Sequence, residues 1–160
     1  MRPPTKHWKR LYAIAWAVWL FDFATKSWAV NSLDSRNPVN VIGDFLQLTL
    51  YKNPGAAFSL AEGFTIIFTL IAISVVGVIA YYSTKITSKG WSIVLGLALG
   101  GILGNLSDRI FREPGFFVGH VIDWIQIPNW PVFNLADSAI VVASAIAVIL
   151  SVRNISPTEA

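Results

Sequence analysis

The sequence has no cysteine and few charged residues for its length. Without cysteine, the chain can form no disulfide and offers neither a thiol nucleophile nor a thiolate metal ligand. Only 13% of its 160 residues are charged, while 54% are hydrophobic. A soluble domain of this size needs far more charge on its surface. The composition therefore argues against a soluble domain and for a membrane protein.

Long apolar stretches are what the sequence has instead. Four are candidates for crossing a hydrocarbon core of ~30 Å, at residues 11–30, 64–82, 91–106 and 133–152. The first follows a basic segment, but it is too long for a cleaved signal peptide and contains an acid–base pair, so we expect it to be retained. We predict an all-α membrane protein, a bundle of four transmembrane helices forming a single domain over residues 1–160.

Basic residues are distributed unevenly between the segments that connect these stretches. One side holds Arg2, Lys6, Lys9, Arg10, Lys85, Lys89 and Arg153, with Glu159 as its only acid. The other side holds Arg36, Lys52, Arg109 and Arg112 together with Asp34, Asp44, Glu62, Asp108, Glu113 and Asp123. The positive-inside rule then predicts that both termini are cytoplasmic. No basic cluster is larger than those that usually flank spans, so we predict no nucleic-acid partner.

With this topology, the unusual polar residues converge on the outer face of the membrane. They lie in the outer half of the first span, just before the second, at the end of the third and at the start of the fourth. Ionisable residues within spans are costly and often mark functional sites. Residues 44–51 alternate like a strand, and residues 116–127 indicate one or two more. We therefore predict a small β-sheet in the outer loops, lying on the membrane.

Asp123 and Asp137 are separated by a loop that contains Pro128 and Pro131. A hairpin return could bring the two carboxylates together at the mouth of the fourth span. Two close carboxylates cannot both ionise cheaply, so one stays protonated near neutral pH, which gives an acid and a base able to share a water. Alternatively, Asp137 only caps the fourth helix, where the free N–H groups and the dipole stabilise a carboxylate. The two residues alone leave both interpretations open.

Other polar residues also allow two interpretations. Asp22 and Lys26 have the i, i+4 spacing of a helical ion pair, and a structural pair and a substrate contact are both open. A transporter or channel using this pair as a relay is a rival function, but polar residues in the inner half, which would favour it, are nearly absent. His120 lies near Asp123, but no other histidine is predicted on the outer side, so we expect no histidine-based metal site. Glycines spaced four apart predict close helix packing, at Gly96, Gly100 and Gly104.

Five short motifs occur in order along the chain: "DFATK", "NPGAAFS", "GGILGNLSDR", "VIDW" and "FNLADS". With these motifs, the chain resembles the bacterial lipoprotein signal peptidases (signal peptidase II) from Leu11 to Val152. The resemblance implies an aspartic endopeptidase that cleaves lipid-modified prolipoproteins immediately before the diacylglyceryl-modified cysteine, with no metal or cofactor. It implies a multi-pass protein of the bacterial cytoplasmic (inner) membrane with its active site at the outer face, in contact with membrane lipids. We expect a monomer.

The same resemblance assigns roles to individual residues. The catalytic pair would be Asp123 and Asp137. Residues that support the site or contact substrate would be Asp22, Lys26, Asn53, Gly55, Asn105, Asp108, Arg109, Asn134 and Ala136.

Overall fold

The structure is a computed structural model that describes residues 6–55 and 65–158. Its elements in chain order are α1 (Trp8–Ser32), β1 (Val39–Ile42), β2 (Leu46–Asn53), α2 (Thr65–Ser83), α3 (Lys89–Phe111), β3 (Val121–Gln126) and α4 (Leu135–Val152). Each of the four predicted spans corresponds to a helix. The third was predicted too short, because α3 continues through the polar residues beyond 106 to Phe111. Residues 56–59 of the "NPGAAFS" motif lie outside the described residues.

Three helices in the described part of the chain are long and apolar enough to cross a membrane, namely α2, α3 and α4. The first helix, α1, has 25 residues, which is ample length for a span. It is less apolar than these three helices, because Asp22 and Lys26 interrupt its apolar sequence. Large apolar side chains are exposed on several helices, for example Leu70 and Val141. Helices that are apolar on their outer surface are typical of proteins surrounded by lipid.

The central helix of the bundle is α3, which packs most extensively against α1 and α4 and also contacts α2. Glycines make this close approach possible. A Cβ at Gly100 would lie 2.7 Å from the carbonyl oxygen of Ala15, and one at Gly101 would lie 2.5 Å from that of Ala136. The prediction that the glycine stripe packs helices together is confirmed. The first turn of α4 is thereby held directly against α3.

A three-stranded antiparallel sheet, in the order β1-β2-β3, adjoins the helices. The prediction of a small sheet is confirmed, although its strand limits differ. The strand predicted at residues 44–51 is β2, which begins and ends two residues later, and the region 116–127 contributes one strand, β3. The edge strand β1 was not predicted; it has four residues, all of them exposed. Such a strand has no buried face to set a recognisable pattern.

Candidate active site

Asp123 of β3 and Asp137 of α4 line one polar cavity of about 260 Å³. Its other lining residues come from β2 and the segment after it, and from α2, α3 and β3: Asn53, Gly55, Phe68, Ala72, Asn105, Leu106, Arg109 and Val121. The structure thus brings the two carboxylates to the same place, although they lie in different elements. The apolar members of this lining were not among the predicted site residues, since nothing in their local sequence distinguishes them from core residues.

The chain returns on itself between the two aspartates. The backbone of Phe133 pairs with that of Ile125. The Ile125 N–H donates to the Phe133 carbonyl at an N to O distance of 2.8 Å, and the Phe133 N–H donates to the Ile125 carbonyl at 3.0 Å. Asn129, in the intervening loop, adopts a positive φ of 59°, a conformation that asparagine tolerates better than most residues. The expected hairpin return is therefore present, and it places the first turn of α4 beside β3.

Asp137 is part of a capping box at the start of α4. The side chain of Asn134 accepts a hydrogen bond from the Asp137 N–H at 2.9 Å, and the Asp137 Oδ2 accepts one from the Asn134 N–H at 3.2 Å. The other oxygen, Oδ1, accepts from the side-chain amide of Asn105 at 2.7 Å. The capping interpretation is thus correct, but it does not exclude a catalytic one. An ionised carboxylate has about four acceptor sites, and Asp137 also lines the cavity.

Asp123 is 1% exposed and receives two side-chain amides. Asn134 Nδ2 donates to its Oδ1 at 2.6 Å, and Asn53 Nδ2 donates to its Oδ2 at 2.8 Å. Burial raises the pKa of Asp123 most, the nearby charge of Asp137 also raises it and the two amides lower it, and together these effects bring the pKa to about 7. An acid with such a pKa is largely protonated in mildly acidic solution and still partly protonated at neutral pH.

Asn53 and Arg109 are both fixed around Gly55. The Gly55 N–H donates to Asn53 Oδ1 at 2.8 Å, which leaves the Asn53 Nδ2 directed at Asp123. Gly55 has a φ of 98°, a conformation that favours glycine, and a Cβ there would lie 2.9 Å from Arg109 Nη2 and displace the guanidinium. The Arg109 guanidinium donates to the carbonyl of Gly119 at 3.2 Å and is a cation at the edge of the cavity.

Behind the carboxylates lies a buried cluster of charges. The ammonium of Lys26 lies 2.7 Å from Asp22 Oδ2 and 2.9 Å from Asp108 Oδ2, and it donates to Asn105 Oδ1 at 2.9 Å. The i, i+4 spacing predicted only the pair with Asp22; the contact with Asp108 joins two different helices. Asp108 also pairs with the Nε of Arg112, a residue that was not among the predicted site residues. These contacts favour a role of the Asp22–Lys26 pair inside the protein over a direct contact with substrate.

The remaining candidates have ordinary structural positions. Ala136 is fully buried, and its N–H donates to Asp22 Oδ1 at 2.9 Å. His120 lines a separate cavity of about 300 Å³. Among the described residues, no group of three or more acidic, histidine or cysteine side chains could hold a metal ion. Ser107 accepts a hydrogen bond from the Trp19 indole at 2.9 Å, a structural role.

Comparison with known proteins agrees with this architecture. The sequence model of the family described as Signal peptidase (SPase) II matches residues 14–153. The lipoprotein signal peptidase of Streptomyces coelicolor is 50% identical over 147 residues, which cover 92% of this chain and 72% of that protein. The lipoprotein signal peptidase of Leifsonia xyli is 49% identical over 146 residues, covering 91% and 68%.

A solved structure agrees as well. A bacterial membrane enzyme determined by the in meso method at 2.3 Å resolution superposes with a TM-score of 0.83 and 25% identity, covering 99% of this chain and 97% of that one. The match extends over the helices and the sheet together. On the sequence matches and this structural likeness, the chain belongs to the signal peptidase II family.

Proposed function

We propose that this protein removes signal peptides from lipid-modified prolipoproteins by aspartic catalysis, with Asp123 and Asp137 as the catalytic pair. Membership of the signal peptidase II family supports the peptidase activity and the prolipoprotein substrates. The observation that carries the aspartic mechanism is the cavity that both carboxylates line, in which Asp123 is buried with a pKa raised to about 7. Two carboxylates in different environments are suited to opposite roles in acid–base catalysis.

Asp137 is the proposed general base. It lies in the first turn of α4, where the helix dipole favours a negative charge, and its oxygens accept from Asn105 and from the Asn134 backbone. In the ionised form it removes a proton from a water in the cavity. That water then attacks the carbonyl carbon of the scissile peptide bond.

Asp123 is the proposed general acid. Burial keeps it protonated more readily than an ordinary aspartic acid. In that form it donates a hydrogen bond to the substrate carbonyl, stabilises the oxyanion as the water adds, and supplies a proton as the amine leaves. Asn53 and Asn134 hold its carboxyl group in place, and Arg109 adds positive charge beside the developing oxyanion.

We propose four spans with both termini in the cytoplasm, so that the catalytic pair lies at the outer face of the cytoplasmic membrane. The length of α1 and the unequal distribution of basic residues support this topology. A diacylglyceryl group would then hold the scissile bond at the depth of the site, since each buried CH₂ contributes roughly 0.8 kcal/mol to membrane anchoring. The protein would act as a monomer surrounded by lipid. A relay through Asp22 and Lys26 is not favoured, because their charged groups are bonded to each other and fully buried.

The test is cleavage of one precursor, with and without its diacylglyceryl group, at equal concentration in the same detergent. We expect the wild type to cleave the lipidated form at least ~10-fold faster, because an unanchored bond samples many depths and positions. D137N should not cleave either form. Equal rates on the two forms would remove the lipid from substrate recognition, and full activity of folded D137N would exclude the aspartic mechanism.

A further inference from the structure

Lys26 is a fully buried cation that contacts three side chains at one atom. Its ammonium lies 2.7 to 2.9 Å from Asp22, Asn105 and Asp108, and a lysine ammonium has three N–H donors. Its hydrogen-bonding capacity is therefore matched by these three partners, which belong to α1 and α3. The side chain is 1% exposed, so this arrangement is isolated from the surroundings of the protein.

Each of the three partners holds a part of the proposed catalytic pair. Asp22 accepts the N–H of Ala136, the residue before Asp137, at 2.9 Å. Asp108 accepts the N–H of Ile122, the residue before Asp123, at 3.1 Å.

Asn105 holds the carboxylate of Asp137 directly, at 2.7 Å. Its Oδ1 also accepts from Asn134 Nδ2 at 3.2 Å, and that amide donates to Asp123 as well. Asp137 is thus linked to the Lys26 ammonium through one side chain, Asn105. Asp123 is linked to it through two, Asn134 and Asn105.

Stability alone gives a weak reason for such a cluster. Removing charges from water costs several kcal/mol for each ion, and apolar side chains of similar volume often stabilise a protein as well or better. Two carboxylates and one ammonium at the junction of α1 and α3 are thus an expensive way to pack helices. The cluster is better explained if it sets the distance between the carboxylates of Asp123 and Asp137.

We infer that Lys26 is a positioning residue that fixes the separation of the Asp123 and Asp137 carboxylates. The inference rests on the proposed function, since it concerns the geometry of that catalytic pair. The ammonium holds Asp22, Asn105 and Asp108 at one point, and they in turn hold the start of α4 and the start of β3. A displacement of about 1 Å between catalytic groups lowers a rate by roughly 10²-fold.

The experiment compares K26M with K9M, a matched control on the same helix whose lysine is exposed. Cleavage of a lipidated precursor is measured per folded molecule, with the folded fraction taken from size-exclusion chromatography. We expect K26M to lower kcat by ~100-fold and to change KM by less than about 3-fold, because the substrate cavity remains while the carboxylates separate. K9M should retain wild-type kinetics. A purely structural lysine would lower the folded fraction and leave kcat per folded molecule unchanged.

A second variant, D22N/K26M, removes the charge imbalance. The introduced amide still offers an oxygen to the Ala136 N–H, and Asp108 keeps Arg112 as a cation. We expect this variant to fold at least as well as K26M and to keep the low kcat. Wild-type kcat in either folded variant, or failure of the double variant to fold, would overturn the positioning role.

D137N, assayed in parallel, separates the two proposals. If folded D137N cleaves normally, the catalytic pair itself is wrong. If D137N is inactive while folded K26M is fully active, only the role of Lys26 fails.

Discussion

The two ends of the helical bundle are held together by different chemistry. At the end that carries the candidate site, charged side chains are buried: Asp22, Lys26, Asp108 and Asp123 are all 3% exposed or less. At the opposite end the cations of the described residues are exposed, and neutral groups connect the segments. There the His7 N–H donates to the carbonyl of Ile86 at 3.0 Å, and the Ser88 N–H donates to that of Pro157 at 3.2 Å.

The neutral end shows that this bundle can be closed without buried charge. At this end backbone hydrogen bonds connect the segments. The indole N–H of Trp91 also donates to the carbonyl of Ile155 at 2.7 Å. Burying ions is costly, and a neutral alternative often stabilises as well. The charges at the other end are therefore better explained by the chemistry of the site than by the packing of helices.

The sharpest test of this difference changes the two catalytic candidates. We expect D123N and D137N each to reduce cleavage of a lipidated precursor by at least ~10³-fold, because general acid–base catalysis contributes about 10² to 10⁴ in rate. The double variant should be little worse than either single one, since the pair acts as a unit. The matched control is D44N, whose carboxylate is exposed in the turn between β1 and β2. Additive losses in the double variant would contradict a shared mechanism.

The cleavage rate should also depend on pH. If protonated Asp123 is the acid, cleavage should fall about tenfold per pH unit above an apparent pKa near 7. A pH–rate profile of kcat/KM between pH 5 and 9 measures this limb. A rate that stays constant up to pH 9 would show that Asp123 acts in its ionised form.

The stability of the folded protein should likewise fall as the pH rises. In the folded state the pKa of Asp123 is about 7 against an ordinary 3.8, so the folded protein holds this proton over a range in which the unfolded chain has lost it. Stabilisation by that proton is complete below about pH 4 and is lost as the pH rises to about 7, by up to on the order of 4 kcal/mol. Melting curves in detergent should therefore show D123N gaining stability relative to the wild type between about pH 4 and pH 7.

The smallest effects should come from two glycines of α3, Gly101 in its middle and Gly90 at its start. A Cβ at Gly101 would lie 2.5 Å from the Ala136 carbonyl oxygen, whereas one at Gly90 would meet the flexible end of Leu150 at 3.0 Å. We expect G101A to cost about 1–3 kcal/mol by overpacking and to lower cleavage several-fold by displacing the first turn of α4.

G90A serves as the matched control on the same helix. It should lie within about 1 kcal/mol of the wild type, because the neighbouring leucine can move and alanine favours the helix. Thermal unfolding and cleavage assays of both variants measure the contrast. Equal losses in the two variants would show that the start of α4 is not held more tightly than the opposite end.

Local sequence predicted the features that depend on local contacts. Apolar length indicated all four helices, and the position of Asp137 at the start of the fourth apolar stretch indicated a helix cap, because helix periodicity and caps involve residues three or four apart. The glycine stripe could also be recognised without knowing which helices it contacts. The short exposed strand β1 was missed, since an edge strand without a buried face has little pattern to detect.

The resemblance to a family supplied what local rules could not. It selected Asn53, Asn105, Asp108 and Arg109 from many polar residues, and the structure places Asn53, Asn105 and Arg109 around one cavity with Asp108 directly behind it. The local pattern had indicated only that polar residues gather at the end of the third span. It gave no means of deciding which residue each side chain would contact.

Local sequence is sufficient to locate the helices and to assign the polar residues to one end of the bundle. The contacts that join Lys26 to both Asp22 and Asp108, and Asn134 of α4 to Asp123, depend on how the elements pack. Apolar periodicity and capping act within a few residues of chain. A buried charge, by contrast, must find its partner wherever the packing of helices brings one, and here glycine contacts between α3 and its neighbours set that position.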